Sequence, residues 1–370
     1  MMKYTELKIR LMQQGAVFSD NARQRMHKSR YGHFVFNDYA TTGGVVVEIN
    51  GQIYANVPVK YADTPFSVDF IGEQFAIKLE DIVLPVSVKI IPVPEFALNN
   101  VRLEDNESTP IRDLVMTHAD RMRISPIHGC SYHCQFCTCN VQKYSEVPCD
   151  VLNQAVQAAL KDPFNRPRHI LISGGTPMAE ESSYEYMNRV YSFFPKNYPE
   201  LEFDVMLSPR GLHIDANNEK GYEDFLQYLK NECGFTTISV NLELYNEQLR
   251  KQYIPDKAKI GKENYYSFIR KAVHIFGERK VRSSLIVGLE EKEDTLKGVE
   301  RISSLGCMPV LSAFVPGSGT SMERYPKPGA ELLLDVVYEA AHIAEKNGTV
   351  LGPLCRPCTH NSITKEEGGI

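Results

Sequence analysis

The chain of 370 residues is long enough for one large core with an accessory domain. Its net charge is −5 and no stretch is densely basic, which argues against nucleic acid as the main partner. No apolar run approaches the length of a membrane span and no signal peptide is recognisable, which argues against a membrane partner. Nine cysteines, three of them tightly clustered, fit a reducing compartment that keeps thiols for metals, so we expect a cytoplasmic protein.

The first hundred residues are predicted to form a small, mostly β domain. A helix is predicted over 4–14, and Asn50-Gly51 is a dipeptide typical of a type I′ hairpin turn. Strands are predicted over 43–49, 52–57, 66–70, 75–79 and 82–88. A polar linker follows, so residues 1–110 are assigned to a mostly β accessory domain and its linker.

Strands and helices alternate from about residue 115 onward. Six segments are predicted as strands: 123–127, 169–172, 203–207, 237–240, 281–287 and 309–314. Each is followed by helical spacing of apolar residues, over 151–160, 184–194, 222–229, 265–276, 295–305 and 330–347. We therefore predict an α/β fold whose core, residues 111–325, is a parallel, partial (β/α)6-type TIM-like barrel with its chemistry on the loops after the strands. Residues 326–370 are predicted to form a C-terminal helix and a cysteine-containing extension.

A cysteine loop follows the first predicted strand of this core. Cys130, Cys134 and Cys137 have the spacing C-x3-C-x2-C, with Phe136 before the last cysteine. Thiolates hold iron–sulfur clusters, and three of them leave the fourth iron of a [4Fe–4S] cluster open to a substrate or cofactor. The alternatives are inert thiols or a zinc site completed by Cys139, although two ligands one residue apart would strain a tetrahedral site.

This loop resembles the signature of the radical S-adenosylmethionine (radical SAM) superfamily, and the resemblance, to a biotin-synthase-like core, covers about residues 120–325. It implies that Cys130, Cys134 and Cys137 bind a [4Fe–4S] cluster whose open iron binds SAM. It further implies reductive cleavage of SAM to a 5′-deoxyadenosyl radical, which abstracts hydrogen from an unactivated carbon of a small-molecule or carrier-bound substrate. A flavodoxin- or ferredoxin-type electron donor is expected. The sequence assigns no catalytic side chain beyond these cofactor ligands.

Further motifs at the ends of predicted strands resemble SAM-binding elements of the family. The loop Gly174, Gly175, Thr176 and Pro177 resembles Gly-Gly-Glu-Pro, with Thr176 in place of the usual glutamate. Glycines allow backbone carbonyls to approach the amino group of the SAM methionine without an intervening Cβ. An ordinary strand-to-helix turn is the alternative for this short motif.

Two other strand ends carry polar candidates. Asn241 and Glu243 resemble the Asn-Leu-Asp/Glu element that binds the ribose and methionyl parts of SAM, with a strand-end cap as the alternative. Ser208 and Arg210 are further candidate polar contacts, and an arginine on a solvated loop is an equal alternative for Arg210.

The adenine side of SAM is assigned to the last two strands. The resemblance implies that Ile286 and Gly288 pack against adenine, with Val315 on the next loop as a neighbour, and Phe136 of the cysteine loop is a further candidate for cofactor binding. A glycine-rich phosphate cradle is the alternative for 315–320, but no lysine follows its glycines. Arg282 or Ser283 stands where biotin synthase has a cysteine ligand of its second cluster, so sulfur-insertion chemistry is not carried over residue by residue.

Cys355 and Cys358 form a second C-x-x-C spacing near the C-terminus, here called the clip. If 349–351 forms a seventh parallel strand, the clip lies at the barrel mouth on the same face as the cysteine loop. It is then a candidate second site for a metal or an iron–sulfur cluster, completed by Cys307, His360, Cys139 or Cys149 or by a substrate atom. Free thiols on a tail and a thioredoxin-like redox pair are the alternatives.

The favoured function is therefore a radical SAM enzyme, with two alternatives. One is a sulfur-inserting radical SAM enzyme with an auxiliary C-terminal cluster. The other is a non-catalytic iron–sulfur or zinc-binding module, against which the ordered series of SAM-binding motifs argues.

Overall fold

The computed structural model describes residues 2–28, 44–91, 93–102, 108–163, 165–209 and 219–370 of the chain. Two large β-sheets organise these residues, each with its own buried apolar cluster. Among the helices of the described ranges, none combines the length and the apolar character needed to cross a bilayer.

The first sheet occupies residues 16–91. Its strands are β1 (Ala16–Phe18), β2 (Val45–Ile49), β3 (Ile53–Val57), β4 (Val59–Lys60), β5 (Phe66–Ile71), β6 (Gln74–Leu79), β7 (Ile82–Val83) and β8 (Val88–Ile91). The order is β3-β2-β8-β6-β5-β1-β4, with β7 paired to β6. The predicted hairpin is present, because β2 and β3 pair antiparallel and Asn50 and Gly51 both have positive φ, 53° and 70°.

Two helices accompany this sheet, α1 (Tyr4–Gln14) and α2 (Asp20–Lys28). Apolar side chains of α1, such as Leu7 and Leu11, are fully buried against Ile49, Ile53 and Phe66 of the sheet. The alternation of buried and half-buried positions along β5 shows that one face of this sheet carries the core.

The second sheet is the framework of the candidate site. Its strands, in spatial order, are β11 (Val115–His118), β12 (Arg121–Ile124), β15 (His169–Ile172), β16 (Glu202–Met206), β17 (Phe235–Ser239), β18 (Val281–Val287) and β19 (Met308–Ala313). The six strands from β12 to β19 are parallel and correspond to the six predicted ones, whereas β11 is an additional edge strand that pairs antiparallel with β12. Because β11 and β19 are the two ends of the sheet order, this is an α/β fold with an open, partial barrel.

Helices cover the outer face of this sheet. They are α3 (Ile111–Leu114), α4 (Cys149–Leu160), α5 (Glu181–Asn197), α6 (Glu219–Gln227), α7 (Glu247–Tyr253), α8 (Pro255–Ile260), α9 (Lys262–Phe276), α10 (Lys292–Ser304) and α11 (Ala330–Lys346). Two small strand pairs complete the regular structure: β9 (Asn100–Arg102) with β10 (Ser108–Pro110), and β13 (Ile127–His128) with β14 (Ser145–Glu146). Each crossover helix packs an apolar stripe on the strands, which fixes all the carboxyl ends of the parallel strands at one edge.

The C-terminal segment follows a different path from the predicted one. Residues 349–351 do not form a seventh strand; Gly352 makes a single parallel bridge to Val310, and Ile363 makes an antiparallel bridge to Leu311. The segment then returns to α1, where the fully buried Lys8 ammonium lies 2.9 Å from Glu366. The end of the chain is therefore held between the two sheets.

Candidate functional site

The cysteine loop lies at the carboxyl edge of the second sheet. It runs from β13 to β14, whose antiparallel pairing of Ile127 with Glu146 brings the two ends of the loop together. Within the loop the backbone N–H of Cys137 donates to the carbonyl of Cys134 at 3.1 Å, which makes a tight turn between two of the three thiols. The sequence prediction placed the loop here from the position of the first parallel strand.

The Gly174–Pro177 segment packs directly on this loop. The Ser131 N–H donates to the Thr176 carbonyl at 3.1 Å, and the Ser131 hydroxyl donates to the Pro177 carbonyl at 2.8 Å. A Cβ on Gly175 would lie 1.8 Å from the Gly129 carbonyl oxygen. Gly175 is therefore required for close contact between the two backbones. This reason adds to the approach of SAM to the backbone carbonyls that the sequence suggested.

Two further segments hold the other side of the loop. The Gln135 N–H donates to the Tyr253 carbonyl at 2.8 Å, and the His133 N–H donates to the Asp256 carboxylate at 2.8 Å. After β19, a Cβ on Gly317 would lie 2.8 Å from the Phe136 carbonyl oxygen. The thiols are thus positioned by contacts from three separate strand-to-helix regions.

The three thiols have different surroundings. Cys130 Sγ accepts hydrogen bonds from the backbone N–H groups of Tyr132 at 3.3 Å and Thr176 at 3.1 Å. A hydrogen bond from the Cys139 thiol, opposed by burial, lowers the pKa of Cys137 to about 6, whereas burial raises the pKa of Cys134 to about 12. Backbone donors to sulfur and a low-dielectric setting are features that tune iron–sulfur clusters, so this donor set fits a [4Fe–4S] cluster.

A cavity of about 590 Å³ opens inside the partial barrel beside the cysteine loop. At the carboxyl edge its lining includes Phe136, Cys137, Asn241, Glu243, Ser284, Ile286, Ser312, Phe314 and Val315. Five residues predicted to contact SAM therefore share one cavity, namely Phe136, Asn241, Glu243, Ile286 and Val315.

The other predicted SAM contacts within the described residues do not line this cavity. The Ser208 hydroxyl is 3.4 Å from the Tyr265 hydroxyl, and Arg210 lies outside the described residues. Gly288 has φ 103°, and a Cβ there would lie 2.7 Å from Pro328, so packing on that proline accounts for this glycine. The Gly174–Pro177 segment contacts the cysteine loop, as described above.

Asn241 and Glu243 follow β17 and are held in defined positions. Asn241 Oδ1 accepts from the Ser239 hydroxyl at 2.9 Å and from the Ser284 N–H at 3.2 Å. Glu243 has a φ of 66°, and its carboxylate lies 2.7 Å from the Lys257 ammonium. Burial alone would lower the pKa of Lys257, but the Glu243 carboxylate outweighs it and raises that pKa, so the lysine is charged.

Three functional neighbours of this strand end were not found from the sequence. Lys257 is one, because α8 brings it to Glu243 through the tertiary fold. The fully buried Arg250 donates to the carbonyls of Leu242 at 2.6 Å and Leu244 at 3.0 Å. The Glu290 carboxylate accepts hydrogen bonds from the backbone N–H groups of Tyr245 at 2.9 Å and Asn246 at 2.8 Å. The neighbouring Glu291 precedes α10 as its N-cap.

The clip lies at the opposite end of the barrel from the cysteine loop. Both of its sulfurs line the cavity, but they do so beside His169, the first residue of β15, and near Asp120, which precedes β12. The prediction that the clip lies at the barrel mouth is wrong, because the seventh strand that it required does not form.

The four residues that the sequence suggested as further ligands at the clip do not belong to its group of ligand atoms. The side-chain ligand atoms of His169, Cys355 and Cys358 all lie within 4.8 Å of one another. His360 instead contacts the Pro357 carbonyl at 2.7 Å and stacks against His118, and Cys307 is buried beside the carbonyl of Val281. Cys139 belongs to the cysteine loop, and Cys149 begins α4. His169 gave no sequence signal beyond its place at the start of a strand.

Comparison with known proteins now decides the class of the core. Residues 124–302 match the family model of the radical SAM superfamily. The chain carries a radical SAM domain. Enzymes with this domain use a [4Fe–4S] cluster and SAM, in agreement with the thiol loop described above.

A curated protein is similar to part of the chain. A 135-residue stretch is 30% identical to bacteriochlorophyllide c C-7(1)-hydroxylase of Chlorobaculum limnaeum, covering 36% of this chain and 33% of that protein. The chain thus spans about a third of the length of this curated relative.

Solved structures of radical SAM proteins resemble the chain at low sequence identity. A radical SAM methyltransferase from Sphaerobacter thermophilus has a TM-score of 0.46 and 14% identity, covering 69% of this chain and 75% of that chain. HydG, a maturase of the [FeFe]-hydrogenase, has a TM-score of 0.47 and 12% identity, covering 63% of this chain and 52% of that chain. Neither likeness carries an argument about the reaction.

Proposed function

We propose that this protein is a radical SAM enzyme whose substrate occupies the cavity inside the partial barrel. The observation that carries the proposal is the packing of the cysteine loop on the Gly174–Pro177 segment at the carboxyl edge of the strands, at one end of a cavity of about 590 Å³. Sites of (β/α) barrels lie at this edge, because the loops that follow different strands converge there.

Cys130, Cys134 and Cys137 would hold the cluster. Two backbone N–H groups donate hydrogen bonds to Cys130 Sγ, so this sulfur is already held in a defined position. When bound, the cluster and SAM supply a 5′-deoxyadenosyl radical that abstracts hydrogen from an unactivated carbon of a small-molecule or carrier-bound substrate. A one-electron donor of the flavodoxin or ferredoxin type would be the partner that reduces the enzyme.

The chain's own residues would bind and orient SAM. Ser131 already donates to the carbonyls of Thr176 and Pro177, so we assign the amino group of SAM to the carbonyls of Gly174 and Gly175. Asn241 and Glu243 line the cavity next to the cysteine loop and would bind the polar parts of the nucleoside and the methionyl group. Lys257 would fix the Glu243 carboxylate in position.

An apolar wall would exclude water from the reacting atoms. Ile286 and Phe314 belong to one buried cluster against which Cys134 and Phe136 pack. Ile286 is 8% exposed and Phe314 is 2% exposed, so the side chains on this side of the cavity are apolar and shielded from solvent. Excluding water protects a reactive radical from side reactions.

The middle of the cavity would recognise a polar group of the substrate. Asp204 of β16 and Arg282 of β18 form an ion pair across the barrel interior, and both line the cavity. The other carboxylate oxygen of Asp204 is buried and has no hydrogen-bond partner among the residues that the structure describes. Since a buried acceptor without a partner is costly, we assign Asp204 to a hydrogen-bond donor of the substrate.

A sulfur-inserting reaction with an auxiliary C-terminal cluster is the second candidate. The observation that favours it is that Cys355 and Cys358 line the same cavity from its far end. The close spacing of the ligand atoms at that end fits a single metal ion better than a cluster, so hydrogen abstraction without sulfur insertion is preferred.

Anaerobic reconstitution tests the proposal. The wild-type protein is expected to bind about four irons at this site and, with SAM and dithionite, to form 5′-deoxyadenosine. Replacing any of Cys130, Cys134 or Cys137 by alanine should abolish the cluster absorbance of this site and SAM cleavage, whereas the control Cys149→Ser should retain both. Full SAM cleavage by any of the three alanine variants, or none by a reconstituted wild-type protein, would refute the assignment.

A further inference from the structure

The amino end of the barrel carries a group of metal-ligating side chains that the proposed radical chemistry does not use. We propose that His169, Cys355, Cys358 and Asp120 bind one zinc ion there. The site would be separate from the cysteine loop, at the other end of the cavity, and it does not depend on the reaction proposed above.

The distances between the ligand atoms fit a tetrahedral ion. Zinc–sulfur bonds of about 2.3 Å and zinc–nitrogen bonds of about 2.0 Å place neighbouring sulfur and nitrogen ligands about 3.6 Å apart at the tetrahedral angle. His169 Nε2 lies 3.2 Å from Cys358 Sγ, and these two atoms and Cys355 Sγ are all within 4.8 Å of one another. An ion could therefore bind with movements of a few tenths of an ångström in side chains that already face each other.

Asp120 can supply the fourth position after a side-chain movement, because its carboxylate lies outside the set of ligand atoms that are all within 4.8 Å of one another. Its Oδ1 lies 3.8 Å from Cys355 Sγ, close to the ~3.6 Å expected between an oxygen and a sulfur ligand of one zinc ion. Its other oxygen, Oδ2, accepts two hydrogen bonds from the Arg168 guanidinium, at 3.2 and 2.5 Å. A hydrogen-bonded partner that orients a ligating carboxylate is a common feature of protein metal sites. Four protein ligands make the site closed and structural.

The clip is a compact turn that holds its two cysteines close together. The backbone N–H of Cys358 donates to Cys355 Sγ at 3.4 Å, so a hydrogen bond within the turn fixes the position of that sulfur. The Pro357–Asn361 turn that contains Cys358 packs against β3 of the first sheet. One ion would thus join the turn before β12, the start of β15 and a C-terminal segment that has no regular strand to anchor it.

Two other uses of the clip fit the geometry less well. Thiolates on different irons of a cluster must stand farther apart than the ligands of a single ion, whereas here all three atoms share one small space. A redox-active pair requires an accessible attacking sulfur, but Cys358 is 7% exposed with its thiol facing the His169 ring, and the half-buried Cys355 has its sulfur beside the Asp120 carboxylate.

Metal counting on the purified full chain tests the site. Mass-spectrometric metal analysis should find one zinc ion per chain beside the iron of the cysteine loop. Cys355→Ser combined with Cys358→Ser should lose the zinc and keep the iron, while Cys149→Ser keeps both. Absence of zinc from wild type, zinc retained in the double variant, loss of iron and sulfide in place of zinc, or a clip isolated anaerobically as a disulfide would each overturn the proposal.

Arg168→Met provides a milder test that leaves every ligand in place. Removing the partner of the Asp120 carboxylate should weaken zinc affinity about 10- to 100-fold, measured by competition with a chelator, whereas the control Arg166→Met at a nearby exposed position should not. An unchanged affinity in Arg168→Met would remove Asp120 from the ligand set and overturn the closed site. If the double cysteine variant does not fold, release of zinc from the wild-type holoprotein by a thiol-modifying mercurial replaces it, and no release overturns the proposal.

Discussion

The contact between Gly175 and Gly129 allows a sharp test of how the cysteine loop is positioned. In Gly175→Ala the new methyl carbon would lie 1.8 Å from the Gly129 carbonyl oxygen, whereas real contacts of this kind are essentially never under 3.0 Å. The two backbones must therefore separate by about 1 Å, which displaces Cys130 relative to the Gly174–Pro177 segment. A misplacement of about 1 Å can lower a rate on the order of 100-fold, and overpacking should destabilise the fold by roughly 1–3 kcal/mol.

The assay is single-turnover formation of 5′-deoxyadenosine by protein reconstituted to the same iron content, together with the thermal unfolding midpoint. Gly329→Ala is the matched control, because its Cβ would meet nothing within 4 Å and its φ is not in the left-handed region. We expect a large loss of rate in Gly175→Ala and a wild-type rate in Gly329→Ala. A wild-type rate and midpoint in Gly175→Ala would show that the backbone contact does not position the loop.

Two further variants examine the cavity. Asn241→Ala combined with Glu243→Ala should weaken SAM binding by roughly 2–4 kcal/mol in an equilibrium titration and leave the iron content unchanged; unaltered affinity would make both residues structural. Asp204→Asn should lower the free energy of unfolding in urea by roughly 3–5 kcal/mol, because it leaves the charge of Arg282 buried without compensation. Lys292→Met, at an exposed ion pair, should leave the free energy of unfolding nearly unchanged, and equal effects of the two variants would contradict the argument from the buried pair.

The parts of the fold that the sequence predicted share a local physical signal. Each parallel strand is a short apolar run followed by a helix with a regular apolar stripe, so both the elements and their order follow from periodicity. The carboxyl ends of such strands converge, and the residues just after them, such as Cys130, Asn241 and Glu243, were therefore expected near one another. The Asn50-Gly51 turn is local in the same sense.

The parts that were missed depend on contacts between distant segments. Strand β11 forms only because β12 offers it an antiparallel edge. The path of the C-terminal segment is set by bridges to β19 and by the pairing of Lys8 with Glu366, two residues that are 358 positions apart. The apolar and β-branched composition of residues 349–351 was therefore not enough to make a strand. His169 and Asp120 also meet the clip only through the tertiary fold, and no spacing in the sequence links them to it.

The backbone at Glu243 shows how the fold maintains a strained residue at the site. A φ of 66° in a residue other than glycine costs on the order of 1–3 kcal/mol and persists only where its surroundings determine it. Here the Glu243 N–H donates to the Ser284 carbonyl at 2.9 Å, and the Glu243 carbonyl accepts from Ile286 N–H at 2.8 Å. Arg250 binds the carbonyls on either side of the residue, and Lys257 fixes its carboxylate. These contacts come from β18, α7 and α8 together, and their hydrogen bonds offset the stability cost of the unusual backbone conformation. The end of β17 can therefore direct the Glu243 carboxylate into the cavity.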